Sequence, residues 1–201
     1  MLKKLFITLV VSSLYLFAEY SSVGLYVNNE DLEIRGDLLL YTKSDKIQLE
    51  SGYYITADML DMDEGFTPGD DATLFGAGIY IKNSVIGTQG LDMSFGLKGE
   101  FGDIGDDKLA AMPITMALSY KIPIDYYYYT TPTTFNASFA YAPSPLAFSD
   151  SDKYLEYRLF LEIEMINHID VTFGYRYIDV DMDNEPTKSR SAVYGGLKFF
   201  F

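Results

Sequence analysis

An all-β protein, built as an antiparallel up-and-down barrel of about ten strands, is the fold class that this sequence predicts. Three observations lead there. Apolar residues recur with a period of two through most of the chain, turn residues interrupt them every dozen positions or so, and no convincing helix can be drawn. With 201 residues and 48% hydrophobic side chains, the chain suffices for one domain with a core, and its composition fits neither disorder nor a collagen-like repeat. An even strand number brings both chain ends to one side of the barrel; eight strands is the alternative the spacing leaves open.

The elements follow in order. Residues Met1 to Ala18 place Lys3 and Lys4 before an apolar run from Leu5 to Phe17 and small Ala18, ahead of polar Glu19-Tyr20-Ser21-Ser22. This is the layout of a secretory signal peptide over 1–18, cleaved after Ala18. The run is shorter than the ~20 residues of a spanning helix, which disfavours a signal anchor. No Cys follows it for lipid attachment. The barrel domain then occupies 19–201.

Alternation is loose through Val23 to Asn28, Leu32 to Tyr41, Ile47 to Asp58 and Thr73 to Lys82. It is clearest from Leu91 to Phe101, where Leu91, Met93, Phe95, Leu97 and Phe101 share one face and Asp92, Ser94, Gly96, Lys98 and Glu100 the other. Ile114 to Ile122 and Thr133 to Ala142 are weaker copies. Leu155, Tyr157, Leu159, Leu161, Ile163 and Met165 then oppose Glu156, Arg158, Glu162 and Glu164. Ile169, Val171, Phe173, Tyr175 and Tyr177 likewise oppose Asp170, Thr172, Gly174 and Arg176, and Ala192 to Phe201 makes a last strand.

Alternation alone does not separate a soluble barrel, apolar inside, from a transmembrane one, apolar outside. Three further features favour the membrane. Connections around Glu30-Asp31, Asp61 to Asp71, Asp103 to Asp107, Asp150 to Asp152 and Asp183 to Glu185 are acidic, whereas those at Ser44-Asp45, Asn83 to Gly90, Pro123 to Pro132 and Asn167-His168 carry few acids. Most of the acidity therefore falls on one rim. Aromatics gather at strand ends, at Tyr53-Tyr54, Tyr126 to Tyr129, Tyr175, Tyr177 and Phe199 to Phe201, as suits a headgroup layer. Finally, Val193, Leu197, Phe199 and terminal Phe201 share one face of a strand that stops without a polar tail. That ending is similar to the C-terminal signature read by the outer-membrane assembly machinery, which becomes an expected partner alongside outer-membrane lipid.

Phe139-Ala140-Tyr141-Ala142-Pro143, Ser149 to Asp152, Tyr154-Leu155-Glu156-Tyr157-Arg158, Gly174-Tyr175-Arg176-Tyr177-Ile178-Asp179 and Ala192-Val193-Tyr194-Gly195-Gly196-Leu197 form a set of short motifs. In them the chain resembles the YfaZ family of predicted outer-membrane proteins. The motifs cover roughly the last third of the chain. The resemblance implies a barrel and a bacterial outer-membrane address; it implies no activity and no functional residues.

Composition excludes several functions. A formal net charge of -14 repels nucleic acid, the absence of Cys removes thiolate metal sites and disulfides, and His168 is the single histidine. His168 lies in the turn Ile166-Asn167-His168-Ile169 with no Ser motif beside it, so no catalytic residue is assigned and the protein is not expected to be an enzyme. Asp179-Val180-Asp181-Met182-Asp183-Asn184-Glu185 echoes a calcium loop but lacks its Gly. No dedicated metal site or cofactor is expected, only loose divalent cations at the acidic loops.

The remaining candidate is the lumen. With the apolar face toward lipid, Asp92, Lys98, Glu100, Glu156, Arg158, Glu162, Glu164, Asp170, Arg176 and Lys198 point inward as a mixed-sign network. The expectation is a structural or interaction protein of the outer membrane with a charge-filled lumen. A narrow, porin-like channel, cation-preferring because acids outnumber bases in that set, is the alternative, and a soluble periplasmic ligand-binding barrel is the other.

Overall fold

Period-two alternation becomes strand nearly everywhere in the computed structural model, which describes residues 21–44, 50–63, 65–66, 71–122, 131–182 and 186–201. The strands are β1 (Ser22–Val27), β2 (Asp31–Ser44), β3 (Glu50–Met62), β4 (Ala72–Ser84), β5 (Leu91–Ile104), β6 (Asp107–Ala111), β7 (Ile114–Ile122), β8 (Thr133–Ala142), β9 (Ala147–Ser149), β10 (Ser151–Ile166), β11 (Ile169–Met182) and β12 (Lys188–Phe200). Among the described residues the only helical element is a 3₁₀ turn at Ser144–Leu146.

These twelve segments make ten staves, the number expected. β6 and β7 lie end to end along β5, β6 against its far end and β7 against Leu91 to Leu97. Met112-Pro113 divides them because a proline has no N–H for the ladder. Instead the Pro113 carbonyl accepts from the Lys98 N–H at 3.1 Å. β8 and β9 are likewise one stave broken by the 3₁₀ turn, whose Leu146 carbonyl accepts from the Met112 N–H at 2.7 Å, and β9 pairs with β6. The sheet closes where β1 seats between β2 and β12, with Ser22 opposite Phe200.

Both ends of the described chain therefore meet at one end of the barrel, the terminal end, where the Phe201 N–H donates to the Ser21 carbonyl at 3.0 Å. The strand ends that border the connections read as acidic fall at the opposite, loop end, and those that border the others at the terminal end. Several of the loop acids lie within strands: Asp61 in β3, Asp103 in β5, Asp107 in β6 and Asp152 in β10, as well as Asp31. Asp31 is the first residue of β2 and buried, because the Asn28 carboxamide oxygen accepts from the Glu30 and Asp31 N–H groups and turns the chain early. His168 occupies the two-residue turn between β10 and β11 with a left-handed φ of 72°. The expected signal peptide over 1–18, Tyr126 to Tyr129 and Asp183 to Glu185 lie outside the described residues.

Away from the loop end, the long strands turn their apolar residues outward. Leu25, Ile34, Ile55, Ile79, Phe95, Leu97, Met116, Leu118, Leu159, Phe173, Val193 and Leu197 are all exposed on the outer wall. The aromatics divide by parity, which corrects part of the expected girdle. Tyr53, Tyr175, Tyr177 and Phe199 stay on the outer face; Tyr54 turns in and stacks on Tyr80 at 4.8 Å, and Phe200 lines the interior. On the outside, Tyr41 meets Tyr53 near the terminal end, and Phe139, Tyr141, Tyr157, Tyr175 and Tyr177 form a neighbouring group toward the loop end.

The lumen is filled unevenly. At the loop end it holds a dry apolar cap in which Met62, Leu74, Ile104, Leu109, Ala142, Tyr154, Ile178 and Val180 are buried, with Phe66 and Leu146 packed against it. Glycines let the wall curl tightly around the filled interior. A Cβ on Gly102 would stand 2.0 Å from the Thr73 carbonyl oxygen of β4, whereas one on outward Gly99 would meet only the Ala77 carbonyl oxygen at 3.7 Å. Gly102→Ala should therefore lower stability by about 1–3 kcal/mol, as overpacking does, and Gly99→Ala should leave it nearly unchanged; urea unfolding of the refolded protein, followed by tyrosine fluorescence, measures both.

Candidate functional site

Below the apolar cap the lumen is crossed by a charge network built from inward positions of six strands. Glu33 of β2 is its centre, 1% exposed. Arg158 Nη1 of β10 donates to Glu33 Oε1 at 2.5 Å, and Arg176 Nη1 of β11 donates to Glu33 Oε2 at 2.7 Å. Arg176 Nη2 also donates to Asp31 Oδ2 at 2.6 Å, and Asp31 Oδ1 accepts from Arg190 Nη2 of β12 at 2.6 Å. Arg190 Nη1 in turn donates to the Gly65 carbonyl at 2.5 Å, tying the β3–β4 connection to the network.

The other arm runs through β3 and β5. Arg35 Nη2 lies 3.4 Å from both Glu33 and Asp58, Lys98 Nζ donates to Asp58 Oδ2 at 2.5 Å, and Lys98 also pairs with Glu100. Arg158 Nε donates to Glu156, whose second oxygen accepts from the Tyr154 hydroxyl at 2.9 Å. Asp31, Glu33, Asp58, Glu100 and Glu156 thus face Arg35, Lys98, Arg158, Arg176 and Arg190, so that the signs balance. Burying one charge without a partner costs several kcal/mol, and this pairing is what makes the buried set tolerable. Arg176 also lies over the Tyr194 ring at 5.9 Å.

A smaller group sits nearer the terminal end. Lys198 Nζ donates to Glu162 Oε1 at 2.9 Å, Asn136 Nδ2 donates to Glu162 Oε2 at 2.9 Å, and the Ser119 hydroxyl donates to Asn136 at 2.6 Å. Lys82 and Asp92 pair at 3.1 Å on a more exposed stretch, where Ser84 also donates to Asp92. Glu164 and Asp170 face one another across the β10–β11 ladder.

Between this group and the central network lies a cavity of about 390 Å³ that extends to Gly90, Lys121 and Asp170 at the terminal end. Its charged lining comprises Asp37, Asp92, Glu156, Glu162 and Asp170 against Arg35, Lys82, Lys98, Lys121, Arg158 and Lys198. The excess of acids read from the later strands does not hold for this cavity, because the earlier strands contribute Arg35, Lys82 and Lys121. Arg35 Nε and Asp58 Oδ1 are buried without a hydrogen-bond partner among the described residues.

All ten charged residues expected in the lumen lie on the inward parity of their strands: Lys98, Glu100, Glu156, Arg158, Glu162 and Arg176 buried, Asp92, Glu164, Asp170 and Lys198 half-buried. They form two groups rather than one network. Asp31, Glu33, Arg35, Asp58 and Arg190 are not among the residues expected in the lumen, although Asp31, Glu33, Arg35 and Asp37 alternate with Leu32, Ile34, Gly36 and Leu38 and carry the same signal. Val193, Leu197 and Phe199 share the outer face of β12, with Phe201 following at its end. Among the described residues no group of three or more acids or histidines is placed to hold a metal ion. No protein-family model, curated protein or solved structure matches the chain.

Removing the charge of Glu33 leaves two buried guanidiniums facing each other. Glu33→Gln should cost about 3–5 kcal/mol, the range for breaking a buried pair, while Lys82→Gln, at the exposed pair, should cost less than about 1 kcal/mol. Equilibrium unfolding in urea distinguishes the two.

Proposed function

We propose that this chain is an integral outer-membrane β-barrel protein with a structural or interaction role and a lumen that does not conduct. The observation that carries the reading is the polarity of the wall, with apolar side chains outside and paired charges inside. Water-soluble barrels invert that order, since an apolar outer belt has no partner in water. Strands of 13 to 16 residues at β3, β4, β5, β10, β11 and β12 exceed the ~9–11 needed for a tilted crossing. The outward aromatics suit the headgroup layers. The signal-peptide layout of 1–18, the apolar face of β12 and the YfaZ-like motifs support the same address.

The closed lumen argues for a plug rather than a pore. An ion entering from the terminal end meets the Glu33 network and, beyond it, the apolar cap. The porin-like alternative requires both to part. The near balance of charge around the cavity also removes the basis for cation preference.

Three measurements test this reading. Refolded mature chain should migrate differently on gels before and after boiling and give no discrete conductance steps in a planar bilayer; steps that change cation selectivity in Glu162→Gln would establish the channel instead. Leu118→Arg, on the outer wall, should cost about 2–4 kcal/mol if Leu118 faces lipid at mid-depth and less than about 0.5 kcal/mol if it faces water, read from unfolding in phospholipid vesicles.

A further inference from the structure

The polar cavity at the terminal end is not explained by a plug alone, because a plug needs no void. Its floor is formed by charges already committed to one another: Arg158 is held by Glu33 and Glu156, and Lys98 by Asp58 and Glu100. A charged ligand seated on that floor would have to break those pairs. The wall on the side of β5, β7 and β8 is different. Ser94, Thr115, Thr134 and Ser138 line it, and their hydroxyls make no hydrogen bond among the described residues, nor does that of Thr56 from β3. Each hydroxyl both donates and accepts.

Rings supply a second kind of surface. Tyr26, Tyr80, Phe160 and Phe200 border the same cavity, and Tyr80 is held in place by its stack on Tyr54. Uncommitted hydroxyls together with aromatic faces match a molecule that carries hydroxyls on its edge and C–H groups on its face. The volume of about 390 Å³ falls within the ordinary range for small-molecule sites.

We propose that the terminal half of the lumen binds a small uncharged polyol, of the size of a mono- or disaccharide. Fixed aromatic faces accept its apolar side, and the β5–β7–β8 hydroxyls exchange hydrogen bonds with its edge. The site is blind, since the Glu33 network and the apolar cap close the lumen behind it. The inference needs the closed barrel but not its membrane address, so the two readings fail separately.

The test is calorimetric titration of glucose and of maltose into the refolded mature chain, held in a zwitterionic detergent free of sugar headgroups. Saturable binding of at least one sugar is expected. It should weaken about tenfold or more in the double variant Thr115→Val, Ser138→Ala, which removes two hydroxyls that hold nothing in the fold, and stay unchanged in the outward control Ser191→Ala. Retained heat-modifiable migration shows that the double variant is folded. Absence of saturable binding with both sugars, equal binding by the double variant, or binding of inorganic phosphate in their place would overturn the proposal. None of those outcomes alters the gel and bilayer results that bear on the membrane reading.

Discussion

Glu33 is held by two guanidinium groups that reach it from β10 and β11, four and three places around the wall from its own strand. Those bridges span the lumen rather than neighbouring strands, so they bind together parts of the barrel that backbone hydrogen bonding does not join directly. Ladder hydrogen bonds fix each strand against the next. The cross-lumen pairs fix how the ring as a whole is filled. Because five carboxylates meet five cations there, the set stays buried without a net field, and loss of any central member exposes its neighbours to the full cost of desolvation.

The network also divides the interior into two environments. Toward the loop end the inward positions are Leu, Ile, Met and Val, and the lumen is dry. Toward the terminal end they are Ser, Thr, Asn and paired charges, and space remains. Each long strand carries this change along its own inward face: β5 passes from Ser94 through Lys98 and Glu100 to Ile104, and β11 from Asp170 through Arg176 to Ile178 and Val180. The lumen is thus filled with apolar side chains at one end and holds a polar cavity at the other.

How far this could be read beforehand differs from strand to strand. β5, β10 and β11 are legible because apolar and polar residues alternate along most of their length, and nine of the ten charged residues expected in the lumen lie on their inward parity, Lys198 of β12 being the tenth. β2 carries a comparable alternation from Asp31 to Leu38, but its opening acids looked like loop residues beside Glu30. Tyr54 and Phe200 read as girdle residues in the sequence because clustered aromatics do not reveal their own parity. One residue of offset turns a ring from the outer wall to the lumen. The short strands β6 and β9 are hidden in sequence by Met112-Pro113 and Pro143 to Leu146, which break the ladder without ending the stave.

Local periodicity and turn residues are enough to establish the all-β class, the antiparallel meander and which face of the later strands is charged. Which charges meet, and that the staves number ten rather than eight, follows from the closed sheet. Glu33 and Arg176 are 143 positions apart in the chain, and closure of the sheet between β1 and β12 is what brings their strands within reach. It likewise decided that the cavity draws Arg35, Lys82 and Lys121 into a lining that the later strands alone would have made acidic. Periodicity states which side of the wall a residue faces; what stands opposite it across the lumen depends on closure and stagger, quantities that belong to the whole sheet and to no single strand.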